Sequence, residues 1–148
     1  MVTIEKILFP CDLTENAAKI APYVRSVSDK YDGQLYLLFV VEELPLFHPI
    51  PYVSMGWDQQ KILADAENAV NLFCEEYMKG CHDFEKLILS GDPAPAILKT
   101  IADKNIDLVV MGSHGRKGLE ETIFGSVAEN VIKKSSVPVL CVNPYRVA

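Results

Sequence analysis

The sequence predicts an α/β protein: a single domain with a doubly wound, five-stranded parallel sheet and helices on both faces. Short apolar runs typical of strands alternate with helical segments of roughly 10 to 20 residues. The run LYLLFVV, residues 35–41, has no polar alternation, as expected for a strand covered on both faces. With 148 residues, 49% of them hydrophobic, the chain can bury the core of one domain, spanning residues 1–148.

The first half of the chain contains two predicted strands and two predicted helices. Residues 3–10 form the first strand and residues 35–41 the second. Residues 15–31 form the first helix, with Thr14 as its N-cap, Pro22 as a source of a kink or loosened first turns, and Gly33 as its left-handed terminator. A proline-bearing variable loop, residues 43–58, precedes a second helix over residues 58–79.

The second half predicts three further strands and two helices. Residues 86–89 form a weaker strand near an edge of the sheet, and Asp92 and Pro93 begin a helix that ends at residue 104. Residues 106–111 form the fourth strand. Ser126 and Glu129 have the spacing of a capping box that begins a helix over residues 126–135, with Ile132 among the residues predicted to face inward. Residues 137–142 form the fifth strand.

Composition narrows the possible partners and the compartment. The net charge is −6 and no basic block extends beyond Lys133 and Lys134, so duplex nucleic acid and anionic membranes are disfavoured. The N-terminus lacks a signal-peptide pattern, and no apolar run is long enough to span a bilayer. The four cysteines show no CxxC pair and no zinc-type spacing, which predicts buried thiols, no metal site and a cytoplasmic protein.

The most informative segment, residues 111–127, joins a strand to a helix through a turn that contains four glycines. They are Gly112, Gly115, Gly118 and Gly125. Glycine permits close approach of the backbone to a ligand, and a helix N-terminus adds partial positive charge, so this segment predicts a phosphate-binding turn. In a doubly wound sheet, the ends of the first and fourth strands, at Asp12 and Gly112, should be neighbours with the nucleotide between them.

The spacing Gly112-x2-Gly115-x9-Gly125-Ser126 resembles the signature of nucleotide-binding universal stress proteins. Residues 7–17 and 37–42 are similar to the opening strand, acidic turn and second strand of that family, and residues 107–118 and 125–142 to its closing half. The resemblance therefore covers the chain apart from the variable loop. It implies a Rossmann-like sandwich of the adenine nucleotide alpha hydrolase type.

The resemblance also implies a set of nucleotide-binding residues. Asp12 would bond the adenosine part, Val40 would meet adenine through its backbone, and the remaining residues would line, floor or surround the site: Pro10, Cys11, Met111, Gly112, Ser113, His114, Gly115, Arg116, Gly125, Ser126 and Val127. The implied ligand is ATP, AMP or ADP, with Mg²⁺ held through the phosphates. Cys11 replaces a threonine or serine that is common in the family, which implies one weaker ribose or metal-water contact.

The implied function is a regulatory or sensor role in the stress response, exercised by a homodimer that pairs through the edge strand 137–142. If that strand were central, no partner would be needed. The alternative function is a slow ATPase or phosphotransferase using the same site. Ser113, His114 and Ser126 are the candidate groups for such chemistry, but the spacing shows no orienting partner for them, so no catalytic residue is predicted.

Overall fold

The structure of the protein is a computed structural model that describes residues 1–42, 59–81, 84–115 and 124–147. The predicted variable loop 43–58 and Arg116, one of the implied nucleotide-binding residues, lie outside the described residues. Among the helices that are described, none is both long and apolar enough to cross a membrane.

Five strands and four helices alternate along the described chain. The strands are β1 (Lys6–Pro10), β2 (Gln34–Val41), β3 (Phe84–Ser90), β4 (Leu108–Gly112) and β5 (Val139–Val142); the helices are α1 (Glu15–Tyr31), α2 (Gln59–Tyr77), α3 (Pro93–Lys104) and α4 (Ser126–Lys134). All strand pairs are parallel, in the order β3-β2-β1-β4-β5. The predicted fold class is confirmed, as is the edge position of β3.

The core has two layers because side chains alternate along each buried strand. Ile7 and Phe9 of β1 point into a cluster with α1 and α2, whereas Leu8 between them points into a second cluster with α3 and α4. The sheet is therefore apolar on both faces. This explains the absence of polar alternation in β2.

The direction of winding reverses at β1, which is the feature that positions the site. Pro10 at the end of β1 pairs with Leu38 of β2, and on the other side Leu8 pairs with Val109 of β4. The carboxyl ends of β1 and β4 thus lie side by side, at the end of the sheet where the parallel strands terminate, as the sequence predicts. Ligands of doubly wound sheets bind in the crevice outside such a reversal.

One predicted terminus of α1 is wrong in detail. The left-handed residue that ends α1 is Asp32, with φ of 51°, not Gly33. Gly33 is instead required by space, because a Cβ there would lie 3.1 Å from Ile7 Cδ1 and 3.2 Å from the Glu5 carbonyl oxygen. Thr14 occupies the N-cap position, as predicted, but its hydroxyl donates to Asp12 Oδ1 and accepts no bond from the helix.

The capping box predicted at the start of α4 is also wrong. Gly125 is the N-cap and Ser126 is the first helical residue. The Glu129 carboxylate accepts a bond from Lys133 Nζ at 2.8 Å, one turn further on, instead of reaching back to the cap. Ile132, predicted to face inward, is 42% exposed. The sequence pattern alone could not fix the rotation of so short a helix.

Candidate functional site

The turn after β1 holds the Asp12 carboxylate in a fixed position. Asp12 Oδ1 accepts bonds from the Thr14 backbone N–H at 3.1 Å and from Thr14 Oγ1 at 2.5 Å. Leu13 between them has φ of 62°, a left-handed conformation that branched side chains rarely adopt and that concentrates at functional sites. The turn therefore directs the other carboxylate oxygen, Oδ2, away from the helix and towards the loop after β4.

Gly115 lies where Asp12 Oδ2 meets that loop. A Cβ on Gly115 would lie 3.0 Å from Oδ2, closer than nearly all real Cβ contacts. Its φ does not fall in the left-handed region, so the requirement for glycine here is one of space rather than of conformation. Asn16 Nδ2 of α1 donates to the Gly115 carbonyl oxygen at 3.5 Å. The turn after β1 and the loop after β4 thus approach within contact distance.

Gly112 allows α1 to pack over the end of β4. A Cβ at this position would overlap Ile20 Cδ1 and would lie 3.0 Å from the His114 carbonyl oxygen. The floor of the crevice is therefore backbone, with no side chain rising from it at Gly112. Met111 next to it sends its side chain into the core on the α3 and α4 face, so it can contribute only its backbone to that floor.

Gly125 closes the other end of the glycine segment. Its N–H donates to the Ser113 carbonyl oxygen at 2.7 Å, and a Cβ on it would lie 3.3 Å from the same oxygen. The Gly125 N–H is thus occupied within the protein. Gly125 shapes the site through its lack of a side chain, and its contact with a ligand stays a prediction.

The first turn of α4 presents backbone N–H groups that have no acceptor within the helix. The first bond within this helix runs from the Glu129 N–H to the Gly125 carbonyl oxygen at 3.0 Å, so the N–H groups of Ser126, Val127 and Ala128 precede the helical ladder. These groups and the helix dipole favour an anion at this end. The Ser126 side chain is exposed and adds a hydroxyl.

The start of α3 is chemically opposite, although it lies at the same edge of the sheet. Pro93 and Pro95 have no N–H, and the N-cap residue is the acidic Asp92. A cavity of about 170 Å³ separates the two helix starts, with Pro95 and Leu98 on one side and Ser126 and Asn130 on the other. Of these two helix starts, α4 is the one suited to a phosphate.

The side chain of Cys11 does not face the crevice. It is 5% exposed and belongs to the core cluster between the sheet and α1, while its N–H donates to the Leu38 carbonyl oxygen at 2.8 Å. Burial raises the pKa of this thiol well above its usual range. The resemblance implied a weaker ribose or metal-water contact at this position. Because the thiol is buried, any contact of Cys11 with a ligand would be made through its backbone.

Ser113 and His114 are both buried, at 4% and 3% exposure, in contrast to the exposed Gly115 that follows them. Ser113 Oγ lies 2.8 Å from His114 Nδ1, and the Ser113 N–H donates to the Val142 carbonyl oxygen of β5 at 2.9 Å. Both side chains are therefore packed in the interior beneath the loop after β4. Within the described residues, no three His, Cys, Asp or Glu side chains gather to form a metal site.

Comparison with known proteins decides the family. Residues 3–143 match the model of the universal stress protein family. The chain belongs to that family. It is 30% identical to universal stress protein MJ0577 of Methanocaldococcus jannaschii over 155 aligned residues, covering 95% of this chain and 96% of the relative. The solved structure of MJ0577 superposes with a TM-score of 0.79 and 33% identity, covering 96% of this chain and 97% of that one.

Two more distant universal stress proteins share the fold and were solved with ligands. One, from Archaeoglobus fulgidus, is in complex with dAMP; it has a TM-score of 0.67 and 16% identity, and the match covers 97% of this chain and all (100%) of that chain. The other is in complex with cAMP, with a TM-score of 0.61, 19% identity, and coverage of 96% and 98%. The resemblance predicted from the glycine spacing is thus confirmed at the level of family and fold.

The structure of this universal stress protein also reveals contacts that the sequence did not indicate. Asn16 bonds Gly115, Leu13 is left-handed in the turn after β1, and Tyr145 contacts His114. None of the three belongs to the glycine signature. Tyr145 lies beyond the last strand, with its ring centroid 5.2 Å from that of His114. The turn signal Asn143-Pro144 marks the bend that precedes Tyr145, but no local pattern shows which residue the ring meets.

Proposed function

We propose that this universal stress protein binds an adenine nucleotide, ATP, AMP or ADP, in the crevice between the ends of β1 and β4. In this proposal it acts in the cytoplasm as a regulator or sensor in the stress response. The observation that carries the proposal is the meeting of Asp12 Oδ2 with Gly115 beside the N–H groups that begin α4. A carboxylate suits the hydroxyls of a nucleoside, and a row of amides suits phosphate. The dAMP and cAMP complexes of proteins with this fold support the same ligand class.

In this proposal, the difference between the starts of α3 and α4 determines which end of the nucleotide lies at which helix. The phosphates would lie at the donors of Ser126 and Val127, with Gly115 opposite and Arg116 as the predicted guanidinium ligand. The base would lie towards β2, where Val40 offers its backbone, because the prolines at the start of α3 leave little to bind an anion. Pro10, Asp12, Met111 and Gly112 would line the adenosine end.

A binding role is favoured over catalysis by the surroundings of the candidate groups. Ser113 and His114 are buried, and the hydroxyl of Ser113 bonds the imidazole of its neighbour. A nucleophile or general base must reach the terminal phosphate, and these two side chains are directed into the protein. Mg²⁺, if it binds, would be held mainly by the phosphates, as is usual for nucleotide sites.

The same proposal includes a homodimer formed through β5. This strand is at the edge of the sheet, and Leu140 on it is 43% exposed. Ile132 on α4 is exposed to a similar degree. An apolar edge strand is a template for pairing with another chain, and twofold pairing of identical strands would cover it.

The proposal is tested by identifying small molecules released when the purified protein is denatured, together with titration calorimetry of ATP, AMP and GTP. We expect a co-purified adenine nucleotide, or saturable binding of ATP and AMP with weaker binding of GTP. Gly115→Val should abolish binding, because any side chain there meets Asp12, while circular dichroism shows a retained fold. The exposed substitution Tyr23→Ala on α1 is the control. Absence of binding by the native protein, or undiminished affinity in Gly115→Val, would refute the assignment.

A further inference from the structure

The turn that follows β5, residues 143–147, packs against the residues beneath the predicted phosphate loop. The Tyr145 and His114 rings have centroids 5.2 Å apart and planes inclined by 65°, an edge-to-face arrangement. His114 is 3% exposed, so this contact is part of the interior. An aromatic ring from the end of the chain thus supports a residue between Gly112 and Gly115.

Tyr145 is itself held in place by the turn that carries it. Asn143 Oδ1 accepts a bond from the Tyr145 N–H at 3.0 Å, and the Asn143 carbonyl oxygen accepts bonds from the Arg146 and Val147 N–H groups, each at 3.2 Å. Val147 then packs against the core cluster that includes α1. The backbone that carries the ring is therefore held on both sides of Tyr145.

His114 in turn contacts the side chain of Ser113, and the Ser113 backbone is bonded to two neighbouring segments. The imidazole Nδ1 lies 2.8 Å from Ser113 Oγ, and the Ser113 N–H donates to the Val142 carbonyl oxygen of β5. The Ser113 carbonyl oxygen accepts the Gly125 N–H at 2.7 Å. Ser113 consequently connects the end of β5, the His114 ring and the N-cap of α4.

We propose that Tyr145 and His114 are positioning residues of this site. Their ring contact holds the segment 113–115 against β5. The bond from the Gly125 N–H to the Ser113 carbonyl oxygen then fixes the first turn of α4 relative to that segment. The amides on the two sides of the glycine segment are thereby kept in register for one phosphate group. The effect on ligand binding rests on the proposed nucleotide function, whereas the effect on the backbone does not.

The first experiment follows amide hydrogen exchange in the protein without added ligand. In the Tyr145→Ala variant, we expect the Ser113 and Gly125 amides to exchange about 10-fold faster, because their bonds lose their support. The Tyr145→Phe variant keeps the ring and should retain the native rates. The Tyr23→Ala variant removes an exposed tyrosine that is 41% accessible on α1 and should also leave these two amides unchanged.

The second experiment measures affinities for ATP and for adenosine in the same variants. Tyr145→Ala should bind ATP about 10-fold more weakly and adenosine within about twofold of the native affinity, since the phosphate end alone is disturbed. Simple loss of stability would not separate the two ligands. Should Tyr145→Ala fail to fold, Ser113→Ala removes the hydroxyl that bonds His114 and should give the same pattern.

Unchanged exchange of both amides in Tyr145→Ala would overturn the proposal, as would equal losses for ATP and adenosine. The proposal would also be overturned if Tyr145→Phe, which keeps the aromatic ring, behaved as Tyr145→Ala does. A native protein that binds no adenine nucleotide would refute the proposed function instead, and the exchange rates would still decide whether Tyr145 positions the loop.

Discussion

Gly115 and Asp12 constrain each other across the crevice. Two bonds from Thr14 and the left-handed Leu13 that follows give the Asp12 carboxylate a defined position, so a shift of this carboxylate would change the geometry of the crevice. A methyl group on Gly115 would come 3.0 Å from Oδ2. The absence of a side chain at this one position therefore lets the two halves of the site approach each other.

We predict that Gly115→Ala weakens ATP binding about 10-fold, by displacing the Asp12 carboxylate, while the free energy of unfolding changes by less than about 1 kcal/mol. In an Asp12→Ala background the same substitution should cost far less, because the methyl group then has nothing to displace. Calorimetry on the two single variants and the double variant measures this coupling. Strictly additive losses would show that the two residues act separately.

The α3 and α4 helices differ in the backbone donors that their first turns present. Both begin at the same edge of the sheet, yet Pro93 and Pro95 remove donors from α3 while α4 keeps the N–H groups of its first turn. Gly125, the N-cap of α4, has φ of −68° and ψ of 161°. These angles suit a residue that precedes proline, so a proline can replace Ser126 without disrupting the helix.

We predict that Ser126→Pro lowers affinity for ATP about 10-fold and leaves adenosine binding nearly unchanged, because proline is tolerated at the first helical position but has no N–H. Ser126→Ala, which keeps the N–H and loses the hydroxyl, is the matched control and should show a smaller loss. Equal effects of the two substitutions would assign the contact to the hydroxyl instead of the amide.

The β5 strand gives a separate prediction about assembly. We expect sedimentation equilibrium to show a dimer for the native protein and a monomer for Leu140→Lys, because a charge at the centre of the pairing strand must be desolvated on association. Leu72→Lys is the control, since Leu72 on α2 is 66% exposed and lies away from this edge. A native monomer, or a dimer that survives Leu140→Lys, would contradict pairing through β5.

The protein as a whole is a sheet between two apolar layers, and its buried thiols link its stability to pH. Burial raises the pKa of the Cys74 thiol from 9.0 to about 11, and it raises the pKa of Cys11 as well. An unfolded chain therefore releases these protons at lower pH than the folded chain does. Above pH 9.0 the folded state binds more protons, and the free energy of unfolding must fall as pH rises towards about 11.

We predict that urea unfolding of the native protein loses stability steeply over that interval and that Cys74→Ala loses it less steeply. Tyrosine and lysine titrations are common to both proteins, so the difference between the two slopes reports the buried thiol. Identical slopes would mean that Cys74 ionises alike in the folded and unfolded chains, and its burial would then have no influence on alkaline stability.

Local patterns were sufficient for the order and type of the elements. The bounds of α1 were predicted to the residue, because helical periodicity runs through the segment and the N-cap residue Thr14 directly precedes it. The glycine spacing likewise indicated the family, and it predicts the site at the carboxyl ends of the strands. Errors fell at the short helix α4 and at Gly33, where packing across the chain decided the details.

The sequence by itself determined the parallel α/β sheet and the glycine segment, since both depend on periodicity and on residues close together in the chain. Only the tertiary structure decided that the Cys11 thiol enters the core, that Ser113 takes the Gly125 N–H, and that Tyr145 supports His114. Those outcomes depend on strand register and on contacts between distant segments. No local pattern encodes them, because each is fixed by the geometry of the whole sheet.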